Sequence, residues 1–339
     1  MRRIVVPVIA CALALVGCSG EKNPTSPGEG HRPLPAPTVS VSHRPVPPVV
    51  ATDANLPKAV GRFGHRATIT IPKTSPSGEF VVTPIVRGDG PAVGTHDIAI
   101  VNYTARTWKK SKYLPSTYKG SGHRATPVVF AVGKDSVLPA LDRAVQGQRV
   151  GSRILVVAPP AAAYGTSGNP GIGVSPTDTV VFAVDIVDAV DAKATVKGEQ
   201  HDSTAGLPGV RANSSSVSIS VPDLAPPNKL ISRQLVDGTG PAVRKGQTIV
   251  LRRAGAVWGT NRGKEQAALF DASWSHGPAS VVSGRHNLLD GLDRTLIGTK
   301  VGSRLLIVVP PSLGYGSNEQ KSVPGGSTLV FVVDVLAVV

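Results

Sequence analysis

The feature that most constrains this chain is an internal repeat with an offset of 149 to 151 residues. Three pairs of segments show it: Ala67–Pro72 with Val217–Pro222, Val150–Val157 with Val301–Val308, and Thr179–Asp185 with Thr328–Asp334. The segments keep the same order in both halves, which chance does not produce. Because the period has the size of a domain and not of a solenoid repeat, the sequence predicts two copies of one domain, over residues 66–191 and 217–339.

Composition favours strands in these domains. The 339 residues include 37 Gly and 30 Pro, which argues against a helical bundle or a coiled coil. Each copy contains five short runs rich in β-branched residues, which are typical of strands. The predicted strands are Val81–Val86, Ile98–Thr104, Val128–Val132, Arg153–Ala158 and Val180–Val187, then Leu230–Val236, Thr248–Arg253, Ser280–Ser283, Arg304–Val309 and Leu329–Leu336.

One short segment in each copy has helical spacing instead. Leu138, Leu141 and Val145 recur at intervals of three and four residues, which predicts a helix over 140–146. The second copy repeats the pattern over 290–297. The predicted fold class is therefore α+β, with an antiparallel β-sheet wrapped on one short helix in each domain.

The amino terminus predicts export. Met1-Arg2-Arg3 precedes an apolar run from Ile4 to Val16, which as a helix would rise only about 20 Å and cannot cross a bilayer of about 30 Å. A charged start, a short apolar core and small residues before a cut are typical of a signal peptide, here residues 1–18. Leu15-Val16-Gly17-Cys18 also resembles the bacterial lipobox, in which the cysteine is lipidated. The alternative is an ordinary signal peptide with a chance cysteine.

Two segments have few apolar side chains. Residues 19–65 are rich in proline, so we expect a disordered, extended tether. Residues 192–216 separate the copies and are expected to be a linker. With lipid on Cys18, the tether would lift the domains from the outer face of the bacterial cytoplasmic membrane.

The net charge and the cysteine and histidine content limit which classes of partner and cofactor we expect. The net charge of +14 attracts anionic lipids and wall polymers outside the membrane, and we expect no nucleic acid partner. The basic run Arg106–Lys112, around Trp108, is interpreted as a solvated loop. Only two cysteines are present and the eight histidines form no ligand cluster, so a metal enzyme is not expected.

Short motifs recur in the same order in both copies. The first copy has Gly88-Asp89-Gly90, Val101-Asn102-Tyr103-Thr104, Val150-Gly151-Ser152, Ala163-Tyr164-Gly165 and Thr179-Val180-Val181-Phe182. The second has Asp237-Gly238-Thr239-Gly240, Phe270-Asp271, Leu288-Leu289, Gly314-Tyr315-Gly316 and Thr328-Leu329-Val330-Phe331. In order and spacing, each copy resembles the FKBP-type peptidyl-prolyl isomerase domain over roughly 105 residues.

The resemblance implies a site without a nucleophile, metal or cofactor. An X-Pro amide must lose its resonance to rotate, against a barrier of about 18–20 kcal/mol. A pocket lined by aromatic and branched side chains removes water from that amide and favours its twisted, less polar state. The expected partners are Pro-containing polypeptides, and we expect a monomer.

Site residues follow from the resemblance, position by position. The candidates in the first copy are Tyr103, Phe130, Val137, Leu138, Leu141, Tyr164 and Phe182. Those in the second are Phe270, Asp271, Leu288, Leu289, Leu292, Tyr315 and Phe331. Leu141 and Leu292 stand where the family commonly has a tryptophan. Strand aromatics are also commonly ordinary core residues, and Asp271 is either a surface carboxylate, a partner for Arg253 or part of the pocket.

Each copy departs from the family pattern at a different place. The first has no Phe-Asp pair in Tyr113–Tyr118, and the second has Arg252-Arg253 where the strand tyrosine belongs. The sequence therefore predicts a peptidyl-prolyl cis-trans isomerase that assists the folding of exported proteins. The alternatives are an FKBP-like peptide-binding lipoprotein with weak or no activity, and a wall-associated structural protein.

Overall fold

A computed structural model describes residues 45–52, 54–119, 125–285 and 287–339. The predicted signal peptide with Cys18, and most of the predicted tether, lie outside these residues. Among the described residues, no helix is long and apolar enough to cross a membrane.

The described residues of the first domain form eight strands and one α-helix. They are β1 (Val49–Val50), β2 (Lys58–Val60), β3 (Thr68–Thr70), β4 (Phe80–Val86), β5 (Ile98–Thr107), β6 (Val128–Ala131), α1 (Pro139–Val145), β7 (Arg153–Ala158) and β8 (Val180–Val190). Six strands form one sheet in the order β1-β4-β7-β8-β5-β6, and β2 pairs with β3. Pairing is antiparallel except between β1 and β4.

The second domain repeats this plan. Its elements are β9 (Gly209–Ala212), β10 (Val217–Ser220), β11 (Ile231–Val236), β12 (Thr248–Val257), α2 (Trp258–Asn261), β13 (Leu269–Ala272), β14 (Ala279–Val282), α3 (Asp290–Leu296), β15 (Arg304–Val309) and β16 (Leu329–Val338). The sheet order is β11-β15-β16-β12-β13, with β14 also paired to β12. Short 3₁₀ turns occupy 160–162, 165–167, 170–172, 273–275 and 311–313.

Each sheet is covered on both faces. On the inner face it packs against α1 or α3, forming an inner cluster that includes Leu141 and Phe182 in the first domain and Leu292 and Phe331 in the second. On the outer face, the hairpins β2–β3 and β9–β10 cover an outer cluster that includes Ile69 or Ile219. β7 and β15 are consequently buried at every position.

These hairpins correct two expectations. Residues 45–65 were expected to belong to a disordered tether, yet they contain β1 and β2, and β9 lies inside the expected linker. The reason is the apolar outer face: both β7 and β15 lack the alternation of apolar and polar residues that a half-solvated strand shows, so a second layer must cover them. A buried ion pair fixes each cover. In the first domain Arg153 binds Asp185 and the carbonyls of Gly61 and His65. In the second, Arg304 binds Asp334 and the carbonyl of Ala212.

The basic run around Trp108 is solvated only in part: Lys109, Lys110 and Lys112 are exposed, as expected, but Trp108 is not. Trp108 is buried in the outer cluster, and its indole Nε1 donates to Thr74 O at 2.9 Å. Trp258 makes the equivalent bond to Leu224 O at 2.9 Å in the second domain. The tryptophan therefore anchors the segment that enters each domain.

A small apolar cluster joins the two domains. Ile98 and Val190 of the first domain pack with Val250 of the second. Arg252 on β12, which is buried, donates to the carbonyls of Ala192 and Ser214 and so holds the connecting segment against the second domain.

Candidate functional site

The seven candidate residues of the first domain lie together in its inner cluster. The strands β5, β6 and β8 supply Tyr103, Phe130 and Phe182, and none of these side chains is more than 6% exposed. Val137 and Leu138 immediately precede α1, Leu141 lies in its first turn, and Tyr164 comes from the loop after β7.

Asp142 positions the start of α1. Its carboxylate accepts hydrogen bonds from the backbone N–H groups of Gly133 at 2.6 Å and Asp135 at 3.0 Å. Asp293 accepts the same bond from Gly284 at 2.7 Å in the second domain. Burial raises the pKa of Asp142 despite these bonds. The turn between β6 and α1 is thereby held against the helix, which fixes the side chains at its amino end.

Two tyrosine hydroxyls in the first site are free. The rings of Tyr103 and Phe182 meet edge to face, with centroids 5.9 Å apart. Among the described residues, neither the Tyr103 hydroxyl nor the Tyr164 hydroxyl has a hydrogen-bond partner. Burial raises the pKa of Tyr103 to about 12. It also raises the pKa of Tyr164, with a smaller contribution from the nearby Tyr103. Both phenols therefore stay protonated and can donate a hydrogen bond.

The second site is more open than the first. Its apolar candidates all belong to or pack against the inner cluster: Phe270, Leu288, Leu289, Leu292, Tyr315 and Phe331. Only Leu292 and Phe331 are buried, at 3% and 2% exposure, whereas the other four are half-buried. By contrast, all seven candidates in the first domain are at most 7% exposed.

Asp271 in the second site is paired with Arg253. The Nε of Arg253 donates to Asp271 Oδ2, and the two side chains are 31% and 27% exposed. Arg253 occupies the strand position that Tyr103 has in the first domain, because Arg253 pairs with Val333 and Tyr103 with Val184. Asp271 is therefore a partner for Arg253, while its role in the pocket stays a prediction.

The aromatic pair of the second site uses a different strand. Phe270 on β13 meets Phe331 edge to face, with centroids 5.7 Å apart. Gly255 makes room for this pair, because a Cβ there would lie 2.7 Å from Phe270 and 2.8 Å from Phe331. In the first domain the equivalent of Gly255 is Ala105, opposite Phe182.

The first domain has Leu114-Pro115 in place of Phe270-Asp271. Leu114 N donates to Ala105 O at 3.0 Å and its side chain is buried in the inner cluster. The same contact recurs three residues after the start of each pair: Thr117 Oγ1 accepts from Tyr103 N at 2.8 Å, and Ser273 Oγ accepts from Arg253 N at 2.9 Å. Sequence reasoning missed Leu114, since only these hydroxyl contacts fix the register.

No metal site accompanies these residues in the described part of the chain, where no group of three or more His, Cys, Asp or Glu side chains could hold an ion.

The described residues thus form tandem α+β domains, each with an apolar cluster and an edge-to-face aromatic pair between its sheet and one helix. The sequence profile described as FKBP-type peptidyl-prolyl cis-trans isomerase matches residues 90–187 and 240–336, which is more than half of the chain. The chain belongs to this family.

Relatives agree with that assignment. The chain is 33% identical over 123 residues to the FK506-binding protein of Streptomyces anulatus, which covers 35% of this chain and 94% of the relative. It is 26% identical over 206 residues to peptidyl-prolyl cis-trans isomerase FKBP10 of Mus musculus, covering 61% of this chain. It is 27% identical over 226 residues to FKBP9 of Rattus norvegicus, covering 66% of this chain. The chain spans only 29% of that FKBP10 and 33% of that FKBP9.

Solved structures that match this chain include the three FKBP domains of wheat FKBP73, at 21% identity and a TM-score of 0.32, with 76% of this chain and 94% of that chain covered. FkpA from Escherichia coli matches at 26% identity and a TM-score of 0.29, with 40% and 52% covered.

Proposed function

We propose that this chain catalyses the cis-trans isomerisation of X-Pro bonds in exported polypeptides. The observation that carries the proposal is the first inner cluster, in which two unpartnered tyrosine hydroxyls lie among apolar and aromatic side chains. Membership of the isomerase family supports the same reading.

The chemistry follows from what the pocket offers. Apolar walls exclude water from the X-Pro amide, whose planar form is more polar than its twisted form, so the barrier to rotation falls. A protonated phenol such as that of Tyr164 can donate a hydrogen bond to a peptide carbonyl and hold the chain in place. No covalent intermediate is needed, because only rotation about the C–N bond occurs.

An isomerisation assay tests this function. X-Pro peptides that a protease cleaves only in the trans form are mixed with the mature chain, and the slow phase of cleavage is followed. We expect its rate constant to rise in proportion to protein concentration. A rate that stays at its uncatalysed value at every concentration would contradict the proposal.

A second candidate function is peptide binding without efficient catalysis. The observation that favours it is the split between the two sites: the first has Leu114-Pro115 instead of a Phe-Asp pair, and the second has Arg253 instead of a tyrosine. Peptides that bind with measurable affinity but isomerise at the uncatalysed rate would support this alternative.

We further propose that the protein works at the outer face of the bacterial cytoplasmic membrane, anchored by lipid on Cys18. The support comes from the sequence alone: the charged start, the short apolar run and Leu15-Val16-Gly17-Cys18. The net charge of +14 suits an anionic membrane surface.

Cysteine substitution tests the anchor. Cys18→Ala should release the protein from the membrane fraction or block its maturation, because the acceptor thiol is lost. Cys11→Ala is the matched control, since Cys11 lies inside the apolar run and should have no such role. If Cys18→Ala matures and fractionates like the parent chain, the lipid anchor is refuted.

A further inference from the structure

Arg253 is a charged residue on the pocket side of its strand. Along β12, Leu251 belongs to the inner cluster and Gly255 faces the rings of Phe270 and Phe331. The intervening Ala254 belongs to the outer cluster. Because side chains alternate between the two faces of a strand, Arg253 lies on the same side as Leu251 and Gly255. Because a guanidinium is rare on an apolar sheet face, the hydrogen-bond partners of Arg253 show how its charge is accommodated there.

Only part of this guanidinium is used within the protein. Its Nε donates to Asp271 Oδ2. Neither Nη1 nor Nη2 has a hydrogen-bond partner among the described residues, and neither is among their buried unpaired side-chain atoms. The side chain is 31% exposed, so the Nη edge is open to solvent beside the aromatic pair. The second site therefore has solvent-exposed N–H donors next to Phe270 and Phe331 that are unpaired among the described residues.

The unpaired Nη groups of Arg253 can bind a carboxylate. Guanidinium N–H groups form a planar fork that binds a carboxylate through two parallel hydrogen bonds, and such charge-assisted bonds are stronger than bonds to a neutral carbonyl. At the same strand position the first domain has Tyr103, which offers one neutral donor. The two domains thus differ in charge at equivalent points of their sites.

We infer that Arg253 makes the second domain selective for X-Pro segments with an acidic side chain next to the proline. This inference rests on the proposed isomerase function and specifies the substrate class of the second site. The preference is moderate, because Arg253 already neutralises Asp271 and cannot fully offset a second carboxylate. Partial exposure to solvent weakens the interaction further.

The test compares matched peptides on the full mature chain. Peptides with Glu, Gln or Lys before proline are assayed for kcat/KM of isomerisation, each with an amidated carboxyl terminus. We expect Glu to exceed Gln by about three- to tenfold, with Lys below Gln. The first domain is unchanged in every variant, so it contributes the same isomerisation rate to each measurement. Raising the ionic strength from about 0.05 M to about 0.5 M should shrink the Glu preference, since salt screens exposed charges.

Variants assign that preference to Arg253. Arg253→Gln should equalise Glu and Gln, while Arg253→Lys, which keeps the charge but loses the fork, should retain part of the ratio. Arg233→Gln is the matched control, because Arg233 is an exposed arginine of the same domain whose cross-strand partner Leu306 belongs to the outer cluster. It should retain the full ratio. Circular dichroism establishes that each variant is folded.

Specific results would overturn the inference. Equal rates for Glu and Gln peptides with the parent chain would refute it and leave the isomerase function standing, as would an unchanged ratio in folded Arg253→Gln. A second set of the same peptides with a free carboxyl terminus is the comparison: if it is preferred over the amidated set while Glu gives no advantage over Gln, the side-chain assignment is refuted. If no peptide is isomerised, the proposed function fails, and fluorescence anisotropy with the same labelled peptides then decides the carboxylate preference by affinity alone.

Discussion

At the scale of single residues, the two sites solve one packing problem in two ways. The second domain combines Gly255 with the large Phe270, and the first combines Ala105 with the smaller Leu114. The total volume opposite Phe182 or Phe331 is thereby kept similar, as cores with native packing density require. Tyr103 and Phe182 could be predicted from the sequence because their motifs resemble a known family. Leu114 could not be predicted as a site residue, because its segment has no aromatic or acidic residue at the positions of Phe270 and Asp271.

This compensation predicts a coupled pair of substitutions. Gly255→Ala should lower the free energy of unfolding by about 1–3 kcal/mol, because the new Cβ would press on Phe270 and Phe331. Adding Phe270→Leu should recover part of that loss, as in the first domain. Gly259→Ala is the control, since no atom beyond its chain neighbours and its own helix backbone lies within 4 Å of its Cβ position. Denaturant unfolding of the parent chain, Gly255→Ala, Phe270→Leu and the double variant measures the coupling, and strictly additive effects would contradict it.

The buried tyrosines predict a loss of stability in alkali. An unfolded tyrosine ionises near pH 10, whereas burial raises the pKa of Tyr103 to about 12 in the folded protein. Between these values the folded state holds the proton more tightly than the unfolded state, so stability falls as the pH rises. For Tyr103 the slope is at most about 1.4 kcal/mol per pH unit. The free energy of unfolding, measured from pH 9 to 12, should therefore decline less steeply in Tyr103→Phe than in the parent chain. Parallel curves would show that the Tyr103 hydroxyl does not cause the loss of stability.

At the scale of elements, the sheets could be predicted and their covers could not. The runs of β-branched residues in β4 to β8 and in β11, β12 and β14 to β16 predict strands near their observed bounds. The helices α1 and α3 follow from their apolar spacing. The hairpin strands are only three or four residues long, and no local pattern distinguishes them from a loop. The apolar residues on both faces of β7 and β15 require a second layer, but this pattern does not show which residues form it.

Each hairpin depends on its buried ion pair, which gives a prediction for the first domain. Asp185 accepts from Arg153 Nε at 2.6 Å and Nη2 at 2.7 Å, and both side chains are buried. Asp185→Asn should lower the free energy of unfolding by about 3–5 kcal/mol, because it leaves a buried guanidinium without its counter-charge. The backbone amides of β2 and β3 should also exchange faster with deuterium, since Arg153 holds Gly61 and His65.

The control for that prediction lies on the same strand. Asp188 is exposed and bonds only the neighbouring Ala189 N, so Asp188→Asn should change stability by less than about 0.5 kcal/mol. If Asp185→Asn is as mild as this control, the ion pair does not fix the hairpin.

At the scale of the whole molecule, duplication has produced two related but unequal sites. The first is closed, neutral and lined by two free phenols, whereas the second is more open and contains the Arg253–Asp271 ion pair. The repeat made the number of domains predictable from the sequence. The difference in solvent exposure between the two sites could not be predicted from the sequence, because it depends on how the loops around Leu114 and Tyr315 pack.

The most direct test of the account uses the tyrosines of the two equivalent loops. The values of kcat/KM for an X-Pro peptide are compared among the parent chain, Tyr164→Phe, Tyr315→Phe and the double variant. Losing one hydrogen bond of about 0.5–1.5 kcal/mol predicts a few-fold to roughly tenfold loss in each active domain, with the largest loss in the double variant. Tyr113→Phe is the control, because Tyr113 packs in the outer cluster and its hydroxyl accepts a bond from Ile69 N. Unchanged activity in all three pocket variants, with the fold intact, would contradict the assignment of catalysis to these sites.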